Sequence, residues 1–198
     1  RGIALRALNQ IPHGRGLGSS AAAIVGGLNL SRGLVLSGAS LMNDDDLIAL
    51  ATDLEGHPDN VAAATLGGAS ISWMEDRAGV PTGCAAGFAV DQRIRALLFV
   101  PKTQLATGKA RKMLPETITH RDASINSGRA ALLVHALSAR PDLLFAATED
   151  HLHQSYRREA MPRSYDLMKK LRGAGVAAMI SGAACAPCTL QGNTHTGT

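Results

Sequence analysis

One glycine-rich segment has the residue types and spacing to bind a phosphorylated ligand. Residues 12–23 read Pro-His-Gly-Arg-Gly-Leu-Gly-Ser-Ser-Ala-Ala-Ala. Gly16 and Gly18 allow the backbone to approach a ligand closely. The serines that follow begin a predicted helix, whose first amide N–H groups lack intrahelical partners and, with the helix dipole, attract anions. The segment therefore predicts a phosphate site, and the alternative is a glycine-rich turn with a serine helix cap.

This segment differs from two common nucleotide-binding motifs. The Gly-Lys-Ser/Thr of a Walker A loop is missing, and so is the Gly-x-Gly-x-x-Gly of dinucleotide-binding folds. What distinguishes the segment is the whole string Pro-x-x-x-Gly-Leu-Gly-Ser-Ser-Ala. A serine hydroxyl at the start of its helix can also reach a magnesium ion that bridges phosphates.

The elements that must position this segment are predicted from apolar periodicity, helix caps and glycine breaks. A helix begins at Ser19, and another begins at the acidic residues 44–46. Later helices are predicted with caps at Asp122 and Ser164. The apolar stripe of the second helix consists of Leu47, Leu50, Ala51 and Leu54.

Strands are predicted between these helices. Residues 69–73, which follow Gly67 and Gly68, alternate in polarity, and residues 93–100 and 176–180 are short apolar runs. Residues 75–87 have the composition of a loop between two subdomains. The mixture of helices and strands predicts the α+β class.

The glycine-rich segment resembles the phosphate loop of the GHMP kinases, a superfamily of small-molecule kinases. A second segment, Leu-Glu-Gly-His-Pro-Asp-Asn-Val-Ala at 54–62 followed by Leu-Gly-Gly at 66–68, is similar to the homoserine kinases in particular. Three later segments agree with it, at residues 126–133, 152–157 and 175–183. The resemblance covers about residues 7–183.

The resemblance implies the α+β fold of the GHMP kinases. A partial, ribosomal-S5-domain-2-like N-terminal domain would occupy residues 1–85, and a ferredoxin-like C-terminal domain would occupy residues 86–198. ATP and Mg²⁺ are the implied cofactors, with Ser20 and Glu55 as the metal ligands, because Mg²⁺ prefers hard oxygen donors. The residues implied to hold the ATP phosphates are Pro12, Gly14, Arg15, Gly16, Leu17, Gly18, Ser19, Ser20 and Ala21.

The implied reaction moves the γ-phosphoryl group of ATP to the side-chain hydroxyl of L-homoserine, which gives O-phospho-L-homoserine for threonine biosynthesis. His57 and Asn60 would lie near the acceptor. Arg129 and Arg157 would hold its carboxylate, a task that suits a planar guanidinium.

Each of these assignments has a structural alternative. Glu55 could be a solvated residue at a helix end, although a carboxylate there faces the negative pole of the helix. His57 could simply precede the next helix, and Asn60 could cap a turn. Arg129 could be a buried structural arginine, and Arg157 could belong to a charged helix face.

No catalytic residue is assigned from the sequence. Phosphoryl transfer depends on positioning and charge neutralisation more than on covalent help. Asp59 is a nearby candidate base only, and the homoserine kinases are thought to manage with a weak base or none.

The chain departs from the homoserine kinases at both ends. By the resemblance, early strands and adenine contacts would precede the residue that matches Arg1. The family's Gly-x-Gly-Pro-Thr is replaced by Ser-Gly-Ala-Ala-Cys-Ala-Pro-Cys-Thr at 181–189. A reading-frame shift near Ala183 is one hypothesis for the difference.

Cys185 and Cys188 have the spacing of a redox pair or of two zinc ligands. The sequence around them predicts no supporting helix, so we favour the interpretation that this spacing arose by chance.

Composition limits the remaining classes of function. The 198 residues are 45% apolar and 18% charged, which predicts a packed core. No apolar run reaches the roughly 20 residues that cross a bilayer, and no secretory signal is visible, so we expect a cytoplasmic protein without a membrane partner. Aromatic residues make up only 3% of the chain, which argues against a nucleic-acid partner. Three cysteines fit a reducing compartment.

Two alternatives to homoserine phosphorylation stay open. Another GHMP acceptor, such as mevalonate or a sugar, is disfavoured by residues 55–60. A catalytically silent fragment is the second alternative, because both ends depart from the family. The resemblance also makes a homodimer an expected state.

Overall fold

The computed structural model describes residues 2–101 and 113–180. Seven α-helices and one antiparallel hairpin lie in these ranges, and a 3₁₀ turn at Pro141–Leu143 leads into α6. The elements are α1 (Ser19–Leu34), α2 (Gly38–Leu41), α3 (Asp44–Glu55), α4 (Asp59–Leu66), β1 (Ala69–Arg77), β2 (Val80–Phe88), α5 (His120–Ser138), α6 (Leu144–Ala147) and α7 (Pro162–Gly173). Cys185, Cys188 and the proposed frame shift near Ala183 lie outside the described residues.

Helix α3 begins as its sequence predicts but turns a different face inward. Asn43 and Asp46 form a capping box at its start, with N···O distances of 3.0 and 3.1 Å. Leu47 and Ala51 are buried as predicted, whereas Leu50 and Leu54 are exposed. Part of the predicted stripe was therefore wrong, because the helix packs toward β2 as well as α1 and α4.

Close packing between α3 and the hairpin explains this rotation. The side chain of Thr52 is buried on α3, and a Cβ added to Gly83 of β2 would lie only 2.3 Å from its Oγ1. Glycine at position 83 therefore lets the helix approach the strand. The core of this half consists of Ala21, Val25, Leu47, Ile48, Ala51 and Val61.

The predicted loop at residues 75–87 was wrong. β1 and β2 pair in register from Ala69 with Phe88 to Arg77 with Val80. Ala78 and Gly79 form the turn, with φ angles of 55° and 82°. Two successive positive φ angles are typical of tight hairpin turns whose twist matches that of the strands.

The C-terminal half is helical in the described ranges. Residues 94–100 and 176–180 have no strand pairing there, so the two predicted strands are wrong in these positions. Thr119, and not Asp122, caps α5, since its Oγ1 accepts the Asp122 N–H at 3.0 Å. Similarly, α7 starts at Pro162, two residues before Ser164. Within the described ranges, no helix has the length and apolarity to span a bilayer.

Candidate functional site

The glycine-rich loop delivers the exposed start of helix α1 into a cavity. Gly14, Gly16 and Gly18 all have φ angles near +67° to +69°. No side chain caps the helix at Gly18, and the first backbone hydrogen bond runs from Ala22 N–H to the Gly18 carbonyl at 2.9 Å. The amides of residues 19–21 therefore precede the first intrahelical bond. Such amides, next to left-handed residues, form a concavity suited to an anion.

Helix α4 supports this loop from the side. A Cβ added to Gly18 would lie 3.4 Å from Asn60 Oδ1, so the amide of Asn60 packs directly against the loop backbone. Asn60 lies in the first turn of α4, and its own backbone N–H donates to Asp59 Oδ1 at 2.6 Å. Asn60, which was predicted to lie near the acceptor, therefore lies next to the loop that was predicted to hold the phosphates.

Ser20 and Glu55 meet although 35 positions separate them. The Ser20 hydroxyl donates to Glu55 Oε2 at 2.7 Å. Glu55 is the last residue of α3, and Gly56 ends the helix with a φ angle of 86°. Both side chains line the cavity. A hydroxyl and a carboxylate in contact form a pair of hard oxygen donors of the kind that binds Mg²⁺.

His57 lies beside this pair with its ring orientation fixed. Its Nδ1 is hydrogen-bonded to Asp59 Oδ1, and its side chain is mostly buried. The predicted alternative, a residue that only precedes a helix, fits its position before Pro58 and α4. The ring nevertheless lines the same cavity as Ser20 and Glu55.

The cavity has a volume of about 320 Å³ and two walls that are distant in sequence. The first wall carries the loop, the start of α1, Glu55, His57, Asp59 and Asn60. The second wall comes from the C-terminal half and consists of Asp150, His153, Gln154, Arg157, Met179 and Ile180.

Asp150 organises the second wall. Its carboxylate accepts the backbone N–H groups of His153 at 2.8 Å and Gln154 at 2.6 Å, and it lies 3.0 Å from His153 Nδ1. Burial raises the pKa of this carboxyl, but the hydrogen bonds from His153 and Gln154 outweigh it and lower the pKa to about 2. Asp150 is therefore anionic across the physiological range.

Gln154 joins the two segments of this wall. Its side chain is buried, and its Oε1 accepts the backbone N–H of Ile180 at 2.9 Å. The turn at 150–157 is thus held against residues 176–180. Sequence analysis did not assign Asp150, His153 or Gln154 to the site, although the 152–157 motif marked their neighbourhood.

The two predicted carboxylate-binding arginines occupy different places. Arg157 lines the cavity, in a series of turns and not on a helix face. Arg129, on α5, is not among the lining residues and forms an ion pair with Glu149 at 2.6 Å. The role of Arg129 in substrate binding stays a prediction. Its neighbour His151 lies between Asp122 and Glu149, at 3.3 and 3.5 Å.

Of the residues that the structure describes, no three histidine, cysteine or acidic side chains form a metal-binding cluster. The Ser20 and Glu55 pair supplies one hydroxyl and one carboxylate.

Comparison with known proteins shows which proteins the chain is similar to. Residues 1–68 match the model of the GHMP kinases N terminal domain. The chain is 49% identical over 185 residues to a homoserine kinase of Streptomyces coelicolor, which covers 92% of this chain and 58% of that protein. It is also 49% identical over 183 residues to a homoserine kinase of Mycobacterium tuberculosis, with the same two coverages.

A homoserine kinase of known structure is also similar to the chain. The crystal structure of homoserine kinase from Cytophaga hutchinsonii superimposes with a TM-score of 0.71 at 27% identity, over 92% of this chain and 58% of that one. The chain thus spans well under two thirds of the relatives that it matches. These likenesses confirm the predicted α+β class.

Proposed function

We propose that the chain is a kinase of the GHMP family and that it transfers the γ-phosphoryl group of ATP to the side-chain hydroxyl of L-homoserine. The product would be O-phospho-L-homoserine, an intermediate of threonine biosynthesis in the cytoplasm. One observation carries the proposal: the start of α1, the Ser20 and Glu55 pair and Arg157 line one cavity.

The ATP phosphates would lie in the loop at the start of α1. Backbone amides of residues 19–21 and the positive end of the helix dipole would bind their oxygens. Gly14, Gly16 and Gly18 keep side chains away from this path. The GHMP kinases use ATP as phosphoryl donor, which agrees with this placement.

Ser20 and Glu55 would hold a magnesium ion together with phosphate oxygens and water. Their contact at 2.7 Å shows that both oxygens reach one point in the cavity. Two protein ligands suit Mg²⁺, which commonly keeps several waters and binds substrate phosphates. When bound, the ion would neutralise charge on the transferring group.

The acceptor would lie between the phosphates and the second wall. His57 and Asn60 would contact it from the first wall, and Arg157 would bind its carboxylate. Arg129 is the second candidate for that carboxylate, although Glu149 engages its guanidinium here. If both arginines bind substrate, alanine at either position raises the homoserine KM. An unchanged KM in Arg129→Ala would restrict the role to Arg157.

The proposed mechanism assigns no catalytic base. The residues of the cavity would hold the phosphoryl donor and the acceptor hydroxyl close together, and such positioning is the main demand of phosphoryl transfer. Asp59 is a nearby candidate base, but its Oδ1 already accepts the backbone N–H of Asn60 and is hydrogen-bonded to the His57 ring. We propose a homodimer as the working assembly from the family alone.

Two assays test the proposal. Phosphorylation of L-homoserine is compared with that of mevalonate and galactose, and turnover of only the latter two would contradict the proposed acceptor. Thermal unfolding with and without Mg·ATP tests nucleotide binding, because a ligand that binds only the folded state raises Tm. An unchanged Tm at saturating nucleotide would favour a silent fragment.

A further inference from the structure

The second wall of the cavity borders open space in more than one place. Asp150 and Gln154 line the cavity described above, here called the first cavity, and both also line a second cavity of about 460 Å³. The chain between the two cavities is thus a thin partition. Close packing fixes a segment only where neighbours fill the space beside it, so a thin partition depends on hydrogen bonds for its position.

Arg172, near the end of α7, lines the second cavity and reaches both segments of the wall. Its Nη1 donates to Thr148 Oγ1 at 2.9 Å and to the carbonyl of Ala178 at 3.2 Å. Thr148 lies two residues before Asp150, and Ala178 directly precedes Met179, which lines the first cavity. A single guanidinium nitrogen thus joins the two segments.

Other contacts hold this guanidinium in one orientation. Its Nη2 donates to the carbonyl of Phe145 at 2.9 Å, and its Cζ lies 4.4 Å from the centre of the Phe145 ring. Thr148 is buried, and its hydroxyl donates to the Leu144 carbonyl at 2.8 Å, which leaves the oxygen lone pairs for Arg172. The planar fork of an arginine suits such a set of acceptors in different directions.

Arg172 complements the connection that Gln154 makes. The Gln154 side chain joins its turn to Ile180, whereas Arg172 joins the same two segments at Thr148 and Ala178. One connection would leave a hinge about which the segments could turn, and two connections fix their relative orientation.

We propose that Arg172 is a positioning residue, which joins the two segments of the second wall and thereby sets the place of Arg157 in the first cavity. Among the described residues that line the first cavity, Arg172 does not occur, so it acts through the residues that it holds. Its effect on the acceptor rests on the proposed function, in which Arg157 binds the acceptor carboxylate. Its effect on the wall can be measured without any substrate.

Amide hydrogen exchange of the ligand-free chain tests the effect on the wall. Arg172→Met removes the donors and keeps a long side chain. The N–H groups of His153, Gln154 and Ile180, which are hydrogen-bonded within the wall, should then exchange about tenfold faster. Amides of α1 lie on the other wall and should exchange as in wild type. Arg163→Met, at an exposed position of the same helix, is the matched control.

Steady-state kinetics with Mg·ATP test the effect on the acceptor. In Arg172→Met the homoserine KM should rise about tenfold, because Arg157 is no longer held where it meets the carboxylate. The KM of ATP should stay unchanged, because the glycine-rich loop and the Ser20 and Glu55 pair belong to the first wall. A loss of stability alone would instead reduce the amount of folded enzyme, which lowers the apparent kcat and leaves both KM values unchanged.

A second variant tests the same connection from its other end. Thr148→Val removes the hydroxyl that accepts from Arg172 with little change of shape, and it keeps the test decisive if Arg172→Met does not fold. It should change exchange and the homoserine KM in the same direction. The double variant should raise the homoserine KM by less than the product of the two single effects, because both substitutions remove the same hydrogen bond.

The outcomes separate this inference from the proposed function. Wild-type exchange at Ile180 in both variants would refute the positioning of the wall. Faster exchange with an unchanged homoserine KM, or a fall in kcat alone, would refute the role in acceptor binding. If wild type phosphorylates no homoserine, the proposed function fails, and the exchange result still decides whether Arg172 positions the wall.

Discussion

The contact between Ser20 and Glu55 gives a prediction at the scale of single residues. Ser20→Ala and Glu55→Gln each remove one hard oxygen ligand. We therefore expect the rate of homoserine phosphorylation to fall at least about tenfold and the Mg²⁺ concentration that gives half of the maximal rate to rise. The measurement is the rate as a function of Mg²⁺ concentration. Asp53→Asn makes the same acid-to-amide change on the exposed side of the same helix and serves as the control. If Glu55→Gln had the same Mg²⁺ dependence as wild type, Glu55 would not be a metal ligand.

The acidity of Asp150 gives a second prediction at this scale. Its pKa in the folded protein is about 2, below the usual value near 3.9, so its charge stabilises the fold above pH 4. That contribution, about 2 kcal/mol, is lost as the pH falls from 4 toward 2. Asp150→Asn should lower the free energy of unfolding at pH 7. It should also make that free energy depend less on pH between pH 2 and pH 4, and urea unfolding measures both effects. Asp166→Asn on the exposed side of α7 is the matched control, and equal pH profiles for both variants would contradict the assignment.

At the scale of elements, the start of α1 depends on the conformation of Gly18. Its φ angle of 69° strains any residue with a Cβ, although that Cβ would lie only in ordinary van der Waals contact with Asn60. Gly18→Ala should lower the free energy of unfolding by about 1 kcal/mol or more and weaken the rise in Tm with Mg·ATP. Gly26→Ala, inside the same helix with open space around it, should instead stabilise the fold by roughly 0.5 to 1 kcal/mol. Stabilisation by both substitutions would show that the loop adopts another conformation.

Elements were predicted from the sequence where their signals are local. The start of α3 follows from its capping box and acidic first turn, and the start of α1 follows from the glycine-rich loop directly before Ser19; these signals act within three or four positions. The hairpin was missed because Pro81, Gly83 and Gly87 give β2 a low strand propensity. Its strand state depends on pairing with β1 and on the fit of Gly83 against Thr52, and both are tertiary effects.

At the scale of the whole molecule, the site combines segments that no local pattern connects. Glu55 was linked to Ser20 only through the resemblance to the homoserine kinases, since 35 positions separate them. Asp150 and His153 lie more than 100 positions beyond the glycine-rich loop, and only the fold brings them to the same cavity. For Arg129 the sequence motif was recognised, but the motif did not reveal where the side chain lies. Its guanidinium pairs with Glu149 and is not part of the cavity lining.

The two-walled cavity makes a prediction about the whole chain. A ligand that contacts both walls should slow amide hydrogen exchange in both halves together, because local opening of either half would then require the ligand to leave. Adding homoserine with a non-hydrolysable Mg·ATP analogue should protect residues 14–21 and 59–62 on one wall and residues 150–157 on the other. The hairpin turn at 76–81 lies away from the cavity lining and should exchange as before, which provides an internal control. Protection confined to residues 14–21 and 59–62 would mean that nucleotide binds without the second wall, and the acceptor would then have to be placed elsewhere.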